Sequence, residues 1–135
     1  MSRSQQASRL GAQVEAAMRD LYNLDLPESG RAPWMDAVDS DGRPWEIKGA
    51  MHRRANGRPG KFRVFRQMHR QLAEADGCYG FAVYRIRGRG IEILESRAIP
   101  ARQLRGLEWS ASDHGTRNVS GRGEQAKIAL EVVQR

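Results

Sequence analysis

Three residues in the first third of the chain have types and spacing that can do chemistry: Asp36, Glu46 and Lys48. Glu46 and Lys48 stand two apart in a strand-like run, 45–49, so their side chains project from one face while Trp45 and Ile47 project from the other. Asp36 lies in an earlier strand-like run, 34–38. Between the two runs is Asp39-Ser40-Asp41-Gly42, a strong turn sequence. A hairpin with an odd-length loop centred on Asp41 places Asp36 opposite Glu46. Like charges facing each other destabilise a ladder, and the pair makes sense when a divalent cation lies between them. Mg²⁺, or Mn²⁺ in its place, takes such oxygen ligands. It acidifies a bound water and polarises a phosphoryl group, and a neighbouring lysine can orient that water or stabilise the charge that develops. The competing reading is an ordinary solvated acid–lysine pair on a sheet.

The rest of the composition favours an anionic partner. Lysine and arginine number 23 against 16 acids, a net charge of +7 and a pI near 10.5. Basic domains of this size commonly meet polyanions. Only Lys48, Lys61 and Lys127 are lysines, and arginine's planar fork suits phosphate better than solubility alone requires. Arg53, Arg54, Arg58 and Lys61 follow the acid cluster in a single-signed loop, and Arg31 precedes it. Arg63, Arg66 and Arg70 share one face of a predicted helix over 63–75. These eight are the candidate DNA-binding residues; the plain alternative for each is a solvated charge.

Positioning these groups requires one domain over the 135 residues, with a core at about 8–96 and a C-terminal extension at 97–135. Leu10, Val14, Ala17, Met18 and Leu21 recur at helical spacing, predicting a helix over 8–22. Residues 23–33 read as loop, with a short irregular strand over 22–26 as the alternative. The apolar run 78–84 reads as a buried central strand, 85–90 as a basic turn and 91–95 as the next strand. A short helix is expected within 100–107 and a loop over 112–124, and 127–133 fits strand or helix. The order is mixed α/β (α+β) around one sheet.

Several motifs are excluded. The three histidines and Cys78 have no zinc spacing. Residues 57–61 fail the phosphate-loop pattern, and Asp39 and Asp41 read as turn formers. The lone Cys78 in an apolar run suits a reduced, intracellular, cytoplasmic setting. No apolar segment follows Met1, and no run approaches the roughly 20 residues of a membrane span.

Asp36, then Glu46-Ile47-Lys48 beyond a hairpin, resembles the PD-(D/E)xK nuclease superfamily and, within it, the archaeal Holliday-junction resolvases. Pro33 stands three residues before Asp36 rather than one. The resemblance covers roughly 8–96 and implies a restriction-endonuclease-like fold, a mixed central sheet flanked by helices. It implies Glu15 as a further metal ligand from the first helix, beside Asp36 and Glu46. It implies Ser29, next to Gly30, as a loop serine reaching the scissile phosphate, and a catalytic set of Asp36, Glu46, Lys48, Glu15 and Ser29. The expected activity is metal-dependent DNA endonuclease cleavage, on branched DNA, by a homodimer. The competing readings are a restriction-type or mobile-element nuclease and a non-catalytic basic module that binds DNA or RNA.

Overall fold

The computed structural model describes residues 3–27, 35–110 and 124–134, and the side chains among them from residue 8 onward. Its first element is the helix α1, Arg3–Tyr22. The strand β1, Ala37–Val38, pairs antiparallel with β2, Pro44–Met51. The strand β3, Phe62–Phe65, leads directly into the helix α2, Arg66–Glu74. The strands β4, Cys78–Arg87, and β5, Gly90–Pro100, form a long hairpin. The strand β6, Gln125–Ile128, lies between two short 3₁₀ turns in sequence, Ala101–Gln103 and Leu130–Gln134.

The main sheet has the order β1-β2-β4-β5, with β2 and β4 parallel and the outer pairs antiparallel. Because β2 and β4 are parallel, the chain must cross over between them, and β3 and α2 make that crossover. Alternation along β2 and β4 then divides the sheet into two faces. Trp45, Ile47, Cys78 and Ala82 pack with Val14 and Met18 of α1. Ala50, Tyr79, Phe81 and Val83 pack with Phe62, Val64 and Leu72. The second face is covered by α2 and by a separate two-stranded ribbon of β3 and β6.

Three expected boundaries differ from the structure. Residues 62–65 are strand, so Arg63 stands on β3 and does not share a helix face with Arg66 and Arg70. Its alternation, with Phe62 and Val64 buried and Arg63 exposed, is that of a half-buried strand. The central hairpin also exceeds its expected bounds. Arg85–Arg87 continue β4, and β5 runs to Pro100, where Ile99 reaches the core. The core itself extends past residue 96, since Ala101, Leu104 and Val132 are buried in it. The 112–124 expectation falls outside the described residues except for Glu124.

Two junctions fix the crossover. Helix α2 ends in a left-handed cap: Asp76 has φ +57°, its N–H reaches Ala73 O, and Gly77 N–H reaches Leu72 O. A Cβ on Gly77 would lie 2.4 Å from Leu72 Cδ1 and 2.8 Å from Pro44 O. At the other end, Gly60 N–H donates to Met51 O. A Cβ there would lie 2.7 Å from that same oxygen. Only glycine lets both segments lie this close to β2.

Candidate active site

The acid hairpin has the expected register where it is paired: Ala37 opposes Trp45 and Val38 opposes Pro44. One further step would set Asp36 opposite Glu46, but the ladder stops at Ala37. Asp36 N–H donates to Trp45 O at 2.7 Å. The Asp36 carboxylate turns onto the strand, where Oδ2 accepts the Ile47 N–H at 2.8 Å. Asp36 therefore meets Glu46-Ile47-Lys48 through its side chain, at the residue between the acid and the lysine. The turn itself is tied by Asp39. Its Oδ1 accepts the Asp41 and Arg43 amides, and its Oδ2 accepts the Trp45 indole N–H. Burial pushes the Asp39 carboxyl up, but these bonds and the Arg43 charge outweigh it and leave its pKa below the ordinary value. Asp39 is thus the turn former expected.

Glu46 is only 5 % exposed, a rare position for a carboxylate. Lys48 Nζ lies 2.9 Å from Glu46 Oε1, and it also stands 5.4 Å from the centre of the Phe65 ring, within cation–π range. Glu46 and Lys48 thus share the face covered by α2 and the ribbon. In the parallel register Glu46 is partnered by Tyr79 of β4. Tyr79 is fully buried; burial first, and the Glu46 charge second, push its phenol well above the ordinary range. Its hydroxyl and His69 Nδ1 are 2.8 Å apart, and the two rings stack at 5.7 Å. Burial holds the His69 pKa below the usual value. Sequence reasoning missed Tyr79 and His69. Tyr79 sits inside an apolar run, and only the β2–β4 register brings it beside Glu46.

The other candidates are distributed as follows. Glu15 is half-buried on α1, next to Val14, which packs over Gly49 from the opposite face of the sheet. Among the described residues no three Asp, Glu, His or Cys side chains are already gathered into a metal-binding group. Ser29 and Arg31 lie outside the described residues. Arg66 pairs with Glu124 across 3.2 Å, and Arg70 is exposed on α2. Arg53 Nη1 donates to Gly57 O. Arg54, Arg58, Lys61 and Arg63 line a basic concavity of about 380 Å³ together with Pro59 and Lys127. Cys78 is buried and free, and burial pushes its thiol up to about 11, which suppresses thiolate chemistry.

The donor set at the acid hairpin fits a hard divalent cation. Asp36 and Glu46 offer carboxylate oxygens at neighbouring points of one strand pair, and Mg²⁺ is usually held by one or two carboxylates together with water and substrate phosphate. No helix among the described residues is long and apolar enough to cross a membrane. A family model described as a PD-(D/E)XK nuclease superfamily domain matches residues 1–135. No curated protein matches the chain.

Proposed function

The chain belongs to the PD-(D/E)XK nuclease superfamily, and on that premise we propose that it is a divalent-metal-dependent DNA endonuclease whose centre is Asp36, Glu46 and Lys48. One observation carries the reading: the Asp36 carboxylate is anchored on the Ile47 amide, between a buried glutamate and the lysine paired with it. The Lys48 ammonium, 2.9 Å away, offsets the cost of burying the Glu46 carboxylate. Asp36 and Glu46 would hold Mg²⁺ or Mn²⁺, and the ion would supply an activated water and polarise the phosphoryl oxygen.

The chain's own residues do the remainder. Lys48, held between Glu46 and the Phe65 ring, keeps an ammonium group where negative charge develops on the phosphoryl oxygens. The Ile47 amide fixes the Asp36 carboxylate, so the ligand does not have to be ordered during turnover. The net positive surface concentrates the polyanionic substrate. Attack of water on phosphorus and departure of the sugar oxygen leave a phosphate monoester and an alcohol.

The finer expectations are branched DNA as substrate, a homodimer that cuts two strands, and action in the cytoplasm. The first two rest on the resemblance to archaeal Holliday-junction resolvases over roughly 8–96, and the third on the lone Cys78 in its apolar run. The decisive experiment incubates the protein with supercoiled plasmid and with a synthetic four-way junction, in Mg²⁺ or in EDTA. Cleavage is expected only with metal. It should fall by about 10²-fold or more in Glu46→Ala and Lys48→Ala, in line with loss of one transition-state contact, while binding persists. Glu15→Gln should also lower cleavage, because the family resemblance implies Glu15 as a further metal ligand beside Asp36 and Glu46. Binding without cleavage in any divalent metal would favour the non-catalytic module. Full activity in both alanine variants would overturn the site.

A further inference from the structure

The basic loop after β2 is folded, and that changes what its charges can do. Arg54 N–H donates to Arg58 O, Gly57 N–H to Arg54 O and Arg58 N–H to Asn56 Oδ1. Gly57 takes φ +84° at the turn, and Gly60 locks the loop's end to Met51. The loop and the β3–β6 ribbon border one concavity. There Arg63 and Lys127 are direct cross-strand partners. Like charges in that position oppose pairing, yet the ribbon places them together and adds three more cations from the loop. The resulting concavity, about 380 Å³, is lined by Arg54, Arg58, Pro59, Lys61, Arg63 and Lys127. Every lining side chain except proline is cationic, which matches phosphate oxygens.

Its position relative to the acid hairpin is fixed by β3. Arg63 is two residues before Phe65, roughly 7 Å along a strand, and Phe65 lies under the Lys48 ammonium. Building on the nuclease reading, we infer that this concavity is a phosphate-anchoring subsite, distinct from the metal site, that grips the substrate strand a short distance from the bond to be cut. It sets register through backbone contacts and carries no sequence preference. Lys127, more than 60 residues beyond the acid hairpin, thereby becomes part of the nucleic-acid surface. Binding energy from such a subsite is the same in ground and transition states, so it acts on KM and leaves kcat unchanged.

The test measures affinity for a labelled oligonucleotide duplex in EDTA, across a salt series, in a Glu46→Ala background. The double variant Arg63→Gln/Lys127→Gln changes two exposed positions. It should weaken binding about tenfold or more at 0.1 M salt and lower the log–log salt slope by about 1.8. Removing the same charge from the β4–β5 hairpin, with Arg85→Gln/Arg87→Gln, should leave the slope within about 0.5 of the parent. In the active protein the Arg63/Lys127 variant should raise KM with kcat unchanged. Equal losses from the two pairs would mean general charge and no subsite. Competition by inorganic pyrophosphate that the variant abolishes, with oligonucleotide affinity intact, would assign the pocket to a free polyphosphate and overturn the proposal. If no metal supports cleavage while the slope difference holds, the nuclease reading fails and the anchor stands.

Discussion

At the scale of residues, the proposed centre gathers on three consecutive positions of one strand, where Asp36 bonds the Ile47 amide between Glu46 and Lys48. Glu46 and Lys48 share a face because strand side chains alternate, and this was legible from the E-x-K spacing alone. The turn was legible too, because Asp39 does what aspartate does before Gly42: it bonds the amides around it. What could not be read was how Asp36 arrives. The register pointed to a carboxylate facing Glu46 across the ladder, whereas the side chain replaces a ladder acceptor at Ile47. That choice depends on the strand ending at Ala37, a backbone event with no side-chain marker. His69 is a second residue that no motif announces. Its depressed pKa means that between the folded value and about 6.5 the unfolded chain binds a proton that the folded chain refuses. Stability is therefore complete above that window and falls as pH drops through it. Urea unfolding at pH 7.5 and pH 5.5 should show the loss, and a His69→Phe variant should show a smaller difference between the two.

At the scale of elements, the arrangement depends on how closely the crossover grips β2. Helix α1 and the apolar strand β4 were readable because their patterns are local and strong: a 3.6-residue stripe and a continuous apolar run. Strand β3 was not, because four residues give too few turns to distinguish the two periods, and its partner lies more than 60 residues away. The C-terminal segment was ambiguous for the same reason, since 125–128 gains its strand character from pairing with 62–65. Gly77 shows what this grip demands. Gly77→Ala would drive a methyl group into Leu72 and the Pro44 carbonyl. It should cost about 1–3 kcal/mol by overpacking, readable as a lower urea midpoint with an unchanged m-value. Because Pro44 opens the strand that carries Glu46, cleavage should also fall at temperatures where the variant remains folded. An unchanged midpoint would show that α2 can move away from β2 freely.

At the scale of the whole molecule, the main sheet is covered on both faces, and the cover of the face that carries Glu46 and Lys48 is built from chain segments far apart in sequence. A chain shortened to end at Ser110 keeps Asp36, Glu46 and Lys48 but lacks β6 and Val132. It should associate rather than fold, because the β3 edge and the apolar Phe62 and Val64 then lose their partners. Sedimentation and circular dichroism would register this; a monomeric, cooperatively unfolding product would contradict it. The pairing of Phe62 with Ile128 also has a consequence for synthesis. At ribosomal speeds of about 5–20 residues per second, the earlier strand waits roughly 3–13 s for the later one. Asp36, Glu46 and Lys48, the proposed centre, are thus translated well before Lys127, which completes the proposed phosphate subsite. Until Gln125–Ile128 is made, the β3 edge lacks the strand it pairs with.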